Sequence, residues 1–131
     1  MFVFRIDNRS GVPPYLQLVQ QVRQAALLGF LRQGDRLPLI REVVESLAIN
    51  PNTVAKAYRQ LEQEGLVTGR PGQGTFVNET PTAGIPATTY TSLRRGLESW
   101  LNRAHAAGLD EQAVNALFTA VVNRAKNENI A

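Results

Sequence analysis

Apolar residues recur at three- and four-residue steps in three segments of the N-terminal half, which is the pattern of amphipathic helices. The first helix is predicted over residues 14–29, and a shorter second helix over 40–48. The third is predicted over 50–64, with Asn50 as a candidate cap and Pro51 at the first helical position, where its missing N–H costs nothing. The second and third helices are therefore separated by a tight turn.

Short β-type segments flank these helices. Residues 3–6 are expected to form a strand at the start, and 66–68 and 75–77 a hairpin around the glycine-rich segment 69–74. A hairpin that directly follows two short helices joined by a tight turn is typical of a winged helix-turn-helix. Residues 1–78 are predicted to form this DNA-binding domain.

The C-terminal part has a different pattern. Residues 79–90 are rich in Pro, Thr and Gly and are predicted to be a linker, and 91–131 carry two further apolar stripes with a turn at 108–110. Two helices bury little by themselves, so they are expected to pair with a second copy; the alternative is packing onto their own winged helix. The residues expected at the dimer contact are Leu93, Leu97, Trp100, Leu101, Leu117, Phe118 and Val121.

The predicted fold class is mainly α with a small β-wing: a winged helix-turn-helix followed by an antiparallel helical hairpin. Composition agrees with a globular protein, since 44% of the 131 residues are hydrophobic and 19% are charged. No apolar run approaches the roughly 20 residues that a membrane span needs. The start also lacks the order of a secretory signal, so neither membrane insertion nor export is expected, and the protein is expected to be cytoplasmic.

Charge gives modest support for a polyanionic partner. The net charge is +3, and all of the excess lies in residues 1–78. The chain has no cysteine and one histidine, His105, which argues against disulfides and metal sites. It also shows no nucleophile–base set and no nucleotide-binding signature, so no cofactor, no metal and no enzymatic activity are expected.

The third helix carries most of the candidate DNA contacts. Its apolar stripe, Val54, Ala57, Tyr58 and Leu61, leaves amide, hydroxyl and basic side chains facing outward. Its N-terminus is expected to offer free backbone N–H groups to a phosphate. For Asn50 a capping role is equally open.

Two further regions supply candidates. Arg41 falls in the first turn of the second helix, where a cation opposes the helix dipole and a nearby phosphate or base would explain it. At the hairpin tip, glycines permit close backbone approach to DNA, although a plain tight turn is the alternative. The full set of expected DNA contacts is Arg41, Asn50, Asn52, Thr53, Lys56, Arg59, Arg70, Gly72 and Gln73.

Several short motifs occur together in a fixed order. They are Pro14-Tyr15-Leu16-Gln17, Gly34-Asp35-Arg36-Leu37-Pro38, Arg41-Glu42, Asn50-Pro51-Asn52-Thr53-Val54, Ala57-Tyr58, Leu61-Glu62, Glu64-Gly65 and Gly72-Gln73-Gly74-Thr75-Phe76-Val77. Over about residues 12–78 the series closely resembles the N-terminal domain of the GntR family. The resemblance implies that the protein binds an operator as a dimer, and it places the family's DNA contacts at Arg41, Asn50, Asn52, Thr53 and Gly72.

The chain departs from the family pattern at Leu39, where a small hydroxyl residue is common, and at Val44, where alanine is common. No side-chain cap or phosphate contact is therefore expected at Leu39. The short tail resembles the YtrA-type branch, which implies a dimeric regulator, commonly a repressor and often linked with ABC-transporter operons, and leaves any small-molecule effector unidentified. The alternative is a winged helix that docks proteins without touching DNA, which the outward Lys56, Arg59 and Gln60 argue against.

Overall fold

The computed structural model describes residues 2–80 and 85–130, with side chains as far as residue 128. It divides the chain into two units, Met1–Ile85 and Pro86–Ala131. The described residues contain five helices and a two-stranded antiparallel sheet, which confirms the predicted fold class. The elements are α1 (Pro14–Leu27), α2 (Ile40–Leu47), α3 (Pro51–Gln63), β1 (Val67–Arg70), β2 (Gly74–Val77), α4 (Ala87–Ala106) and α5 (Glu111–Ile130).

The core of the first unit forms where the apolar faces of α1, α2 and α3 meet. The largest side chains that are completely shielded from solvent come from α1, α3 and the segment before α2, and they are Leu18, Val19, Val22, Leu37, Val54 and Leu61. Between α2 and α3 the chain reverses at Ala48, which has a positive φ of 53° and whose N–H bonds to the carbonyl of Val44. This tight turn confirms the predicted helix-turn-helix.

The predicted strand at residues 3–6 is wrong. The segment is extended, but its backbone pairs with side-chain amides of α1 rather than with a strand. Gln21 accepts from the N–H of Arg5 at 2.9 Å and donates to its carbonyl at 2.6 Å. One turn earlier in α1, Gln17 likewise accepts from the N–H of Asp7 and donates to its carbonyl, at 2.9 Å for each bond. We call this arrangement the glutamine clasp; it holds Phe4, which is buried, against the core.

Part of the loop before α2 behaves as a third strand. The N–H of Gly34 bonds to the carbonyl of Val77 at 2.8 Å, and the N–H of Val77 returns to Asp35 at 2.8 Å. The N–H of Leu37 then bonds to Thr75 at 2.9 Å, and Arg36 pairs with Phe76 between them. The hairpin is therefore fastened to the domain along its β2 side.

The second unit is a pair of long helices joined by a short turn that contains Gly108. Helix α4 begins at Ala87, so the predicted linker is wrong over residues 87–90; residues 81–84 of that linker lie outside the described part of the chain. Pro86 precedes the helix and suits its start, while the first turn of α4 is mostly exposed and shows no apolar periodicity. None of the described helices has the length and apolar character needed to cross a membrane.

The glutamine clasp leads to a test of its contribution to stability. Gln17 is 8% exposed, and its Nε2 also lies 2.9 Å from the carbonyl of Val12. Gln17→Ala leaves several backbone groups without partners and should lower the free energy of unfolding by about 2 kcal/mol. Urea denaturation followed by circular dichroism measures this, with the exposed Gln20→Ala as the matched control. Equal stabilities of the two variants would contradict the clasp.

Candidate nucleic-acid interface

The N-terminus of α3 is closed by its own cap. The Oδ1 atom of Asn50 accepts from the N–H of Asn52 at 2.8 Å, and the Asn50 carbonyl accepts from Thr53 at 3.0 Å and Val54 at 3.4 Å. The expectation of free backbone N–H groups here is therefore wrong, because the N–H groups of Asn52, Thr53 and Val54 all bond to Asn50. The sequence could not show that one asparagine would accept all three hydrogen bonds. The side chains of Asn52, exposed, and Thr53, half-buried, remain as the polar groups at this end.

The outward face of α3 is polar and basic over most of its length. The expected apolar stripe is buried, whereas Lys56, Arg59, Gln60 and Gln63 are exposed. The Nζ atom of Lys56 lies 3.9 Å from the centroid of the Tyr15 ring on α1, a cation–π contact that orients the ammonium group. The face that sequence periodicity assigned to DNA is thus available along the helix.

A groove lies between the start of α2 and the hairpin. Its charged lining is three arginines, Arg36, Arg41 and Arg70, and one acid, Glu62. The guanidinium carbon of Arg70 lies 4.7 Å from the centroid of the Phe76 ring, so the β2 side chain supports the cation on β1. Positive charge is therefore concentrated beside the exposed face of α3.

The hairpin tip is a tight turn at the rim of this groove. The N–H of Gln73 bonds to the carbonyl of Arg70 at 2.9 Å, and Gly72 has a φ of 75°, a value that favours glycine. A Cβ at Gly72 would meet no other atom, so the glycine is needed for the backbone conformation rather than for space within the protein. Gly72 and Gln73 are both exposed.

The structure places the nine expected contact residues in two neighbouring sets. The groove contains Arg41, Arg70, Gly72 and Gln73. The face of α3 contains Asn50, Asn52, Thr53, Lys56 and Arg59, with Asn50 serving as the helix cap. Their contacts with DNA stay predictions.

Leu39 precedes α2 without a side-chain cap of its own, and the Oε1 of Glu42 accepts its N–H at 3.0 Å instead.

Two charged residues of the groove, Arg36 and Glu62, were not among the contacts expected from the sequence. Successive side chains in an extended segment point to opposite sides, and since Leu37 is buried, its neighbour Arg36 faces the groove. This alternation could have indicated from the sequence that Arg36 is exposed. Glu62 lies there because its side chain reaches a strand seven residues further along. No local pattern could have shown this second placement.

The acid at the end of α3 is neutralised from α1. The guanidinium of Arg23 makes three hydrogen bonds to the carboxylate of Glu64, at 2.7, 2.9 and 3.1 Å, and Gln60 donates to the same group at 3.0 Å. The hydrogen bond from Arg23, followed by that from Gln60, lowers the pKa of Glu64. The carboxylate therefore remains ionised and paired, with its charge balanced by Arg23.

Tyr58 anchors α3 beneath the groove. Its hydroxyl donates to the carbonyl of Pro38 at 2.5 Å, which ties α3 to the residues that begin α2. Burial, and secondarily the negative charge of Glu42, raises the pKa of Tyr58 well above its ordinary value of 10.0. The hydroxyl therefore stays protonated and keeps donating.

A short helix, a tight turn, a second helix with a polar and basic outer face, and a β-hairpin beside it define a winged helix-turn-helix protein. The model for bacterial regulatory proteins of the gntR family matches residues 14–77. With the similarity over most of the chain described next, the protein belongs to the GntR family, as the resemblance of its motifs had implied.

Relatives of similar length extend the likeness into the second unit. The chain is 36% identical over 108 residues to the HTH-type transcriptional repressor YtrA of Bacillus subtilis, covering 82% of this chain and 83% of YtrA. It is 40% identical over 117 residues to the HTH-type transcriptional regulator Rv1152 of Mycobacterium tuberculosis, covering 89% and 92%. The solved structure of YtrA from Sulfolobus acidocaldarius, a GntR-family transcription factor, matches with a TM-score of 0.55 at 30% identity and covers 80% of this chain and 99% of that one. The resemblance to the YtrA-type branch is confirmed.

The buried hydroxyl of Tyr58 gives a pH-dependent prediction. Because the pKa of Tyr58 is higher in the fold than in the unfolded chain, its contribution to stability is complete below about pH 10 and is lost as the pH rises further. Tyr58→Phe should lower the free energy of unfolding by about 1 kcal/mol at neutral pH. The free energy of unfolding of this variant should then decline less steeply than that of wild type as the pH becomes alkaline.

Urea denaturation at neutral and alkaline pH tests both parts. Tyr15→Phe is the control, because the Tyr15 hydroxyl makes no hydrogen bond within the described residues and its ring remains under Lys56. Parallel alkaline declines in wild type and Tyr58→Phe would argue against this role of the hydroxyl.

Proposed function

We propose that this protein is a transcriptional repressor that binds a palindromic operator as a homodimer. The observation that carries the proposal is the placement of three arginines in one groove beside the exposed polar face of α3. Two arginines lie at or before the start of α2 and one on the hairpin, so they flank the face that would enter the major groove. The YtrA relative in Bacillus subtilis, named a repressor, supports the regulatory outcome.

Helix α3 is suited to act as the recognition helix. Its 13 residues span about 20 Å, and the major groove of B-DNA is about 12 Å wide, enough for one helix. Recognition helices read base edges mainly with their first residues, which here are Asn52 and Thr53. Lys56 and Arg59, further along, would bind phosphates.

The groove would hold the DNA backbone next to that helix. Arg41 would contact a guanine or a phosphate, and Arg36 would add a phosphate contact at the root of the hairpin. Arg70 and Gln73 would reach the adjacent backbone or minor groove, with Gly72 allowing close approach. Residues 1–78 therefore act as the DNA-binding domain in this proposal.

The second unit supports pairing of two copies. Within its described residues the buried hydrophobic side chains are Ala104 and Val114, which lie near the turn. Large apolar side chains further along both helices remain exposed, for example Leu93 at 66% and Phe118 at 47%. Such a surface on a helix pair is expected to be covered by another protein surface. Residues 91–131 would therefore form the dimerisation region.

A second copy fits this surface because a homodimer buries the same stripe on both chains. The expected contact residues, all exposed or half-buried, are Leu93, Leu97, Trp100, Leu101, Leu117, Phe118 and Val121. Val122, which is 46% exposed, lies beside Val121 and extends this surface. Two DNA-binding domains related by a two-fold axis then require a palindromic site with half-sites about one helical turn apart. A regulator of this kind works on the chromosome, in the cytoplasm, and the YtrA-type resemblance suggests an ABC-transporter operon as its target.

The proposal is tested by selecting duplexes of about 30 base pairs, long enough for two half-sites, from a random library with the wild-type protein. We expect enrichment of a palindrome and an affinity that falls steeply with salt. If no sequence is enriched, sequence-specific binding is contradicted and a protein-docking role for the winged helix is favoured.

Arg41→Ala should weaken binding to the selected duplex by about 1–3 kcal/mol, because it removes a guanidinium contact. Fluorescence anisotropy at several salt concentrations measures both affinity and salt slope. A base contact would relax the preference at one position, whereas a phosphate contact would lower the slope by about one. Arg32→Ala is the control, since Arg32 is exposed but lies at the Gly34–Val77 end of the sheet, away from the hairpin tip. Equal affinities of the two variants would count against Arg41.

Phe118→Glu should convert the dimer to monomers, because a charge would replace a ring in the apolar contact. Asn123→Glu adds the same charge on the opposite side of α5 and should leave the dimer intact. Analytical ultracentrifugation measures the oligomeric state, and operator affinity should fall with the loss of the dimer. A Phe118→Glu protein that remains dimeric would place the contact elsewhere.

A further inference from the structure

An acid lies in the groove where it would face DNA. Glu62 lines this groove together with Arg36, Arg41 and Arg70, and it is the one acidic residue among the groove's lining residues. A carboxylate near the phosphate backbone weakens binding through its charge, since binding is driven by neutralising phosphates. The position of Glu62 therefore needs an explanation other than attraction to DNA.

Glu62 is bonded to the hairpin. Its Oε1 atom accepts a hydrogen bond of 2.7 Å from the N–H of Gly69, which lies in β1 opposite Thr75. A carboxylate acceptor makes such a bond stronger than one between neutral groups. The bond connects the last turn of α3 to the strand that leads into the hairpin tip.

The glycine at position 69 is explained by the same contact. Gly69 is not among the glycines with a positive φ, so its backbone conformation is open to other residues. A Cβ at this position would lie 2.5 Å from the Oε1 of Glu62, closer than such atoms can approach. Gly69 therefore provides the space that the carboxylate needs, and we call the pair the Glu62–Gly69 contact.

The contact lies on the side of the hairpin opposite to residues 34–37. Bonds between residues 34–37 and β2 hold one side, and bonds of Asn78 to Gly65 and Leu66 hold the base. The Glu62–Gly69 contact holds β1 directly before Arg70. It thereby fixes the strand that carries Arg70 relative to α3.

We propose that Glu62 is a positioning residue for DNA binding: its carboxylate holds β1, and with it Arg70 and the hairpin tip, at a set distance from α3. The inference rests on the proposed DNA-binding function. Fixing two contact surfaces before association lowers the entropy cost of binding, and this gain exceeds the repulsion from one carboxylate. Removing the acid should therefore weaken binding, which is opposite to the effect expected from its charge alone.

Three variants separate position from charge. Glu62→Ala removes both the charge and the acceptor, whereas Glu62→Gln removes the charge and keeps an acceptor oxygen. Gly69→Ala keeps the charge and displaces the carboxylate. On the duplex selected by the wild-type protein, Glu62→Ala and Gly69→Ala should each bind about three- to tenfold more weakly, as expected for the loss of one effective hydrogen bond. Glu62→Gln should keep wild-type affinity or bind more tightly.

Glu45→Ala is the matched charge control, because Glu45 is an exposed acid on α2 with no hydrogen bond or ion pair among the described residues. It should leave affinity unchanged or raise it slightly. Thermal unfolding should show similar midpoints for all variants, since the Glu62–Gly69 contact is exposed. Amide hydrogen exchange should show faster exchange at Gly69 in Glu62→Ala than in Glu62→Gln.

Two double variants distinguish positioning from general structural support. In the Glu62→Ala background, Gly69→Ala should cause no further loss of DNA affinity, because the carboxylate that a Cβ at position 69 would displace is already absent. Arg70→Ala should likewise cost less affinity in that background than in wild type. Fully additive effects in both cycles would overturn the proposal.

The outcomes separate this inference from the function on which it rests. If wild type selects no duplex, sequence-specific binding fails and the positioning role fails with it. If wild type binds but Glu62→Ala binds as tightly as Glu62→Gln or more tightly, the acid acts only through its charge and the positioning role alone is overturned. Weaker binding by both Glu62→Ala and Gly69→Ala, with Glu62→Gln retained, supports it.

Discussion

The burial of one face of α3 sets the position of the polar face that the candidate interface is built around. Val54, Ala57, Tyr58 and Leu61 are locked in the core against α1 and the segment before α2. A helix held by four buried side chains on one side can neither rotate nor slide without exposing apolar surface. The polar side chains on its other face are therefore presented at fixed angles. The hairpin is held to the same helix through Gly69, and to residues 34–37 through β2.

Much of this arrangement could be predicted because it depends on local patterns. A repeat of 3.6 residues identifies the buried face of α3, and a proline after an asparagine identifies its start. The rest depends on pairing between distant residues. Arg36 joins the groove through backbone bonds to β2, and Glu62 through a bond to Gly69. The alternation with Leu37 could have shown that Arg36 is exposed but not which strand it pairs with, and the bond of Glu62 has no signature in the residues next to it.

The wrong expectations have the same physical origin. Residues 3–6 are rich in strand-forming residues, but the backbone of Arg5 is satisfied by the amide of Gln21, and that of the adjacent Asp7 by the amide of Gln17. The N-terminus of α3 looked open to phosphate, yet the side chain and carbonyl of Asn50 occupy its first N–H groups. Local sequence indicates that a backbone group needs a partner, and tertiary structure decides which partner it finds.

The glutamine clasp and the Glu62–Gly69 contact both limit association of this protein with other chains through exposed strand edges. An unpaired strand edge readily recruits the edge of another chain, which is a frequent first step in aggregation. In the first unit, Arg5 and Asp7 of the extended N-terminal segment are bonded to amide side chains, and β2 is bonded to residues 34–37. Strand β1 is bonded at Gly69 to a carboxylate and ends in the charged Arg70. Molecules crowded together along a chromosome would therefore have little opportunity to join edge to edge. In the proposed homodimer, association would instead use the helical surfaces of α4 and α5, where it stops at a closed pair.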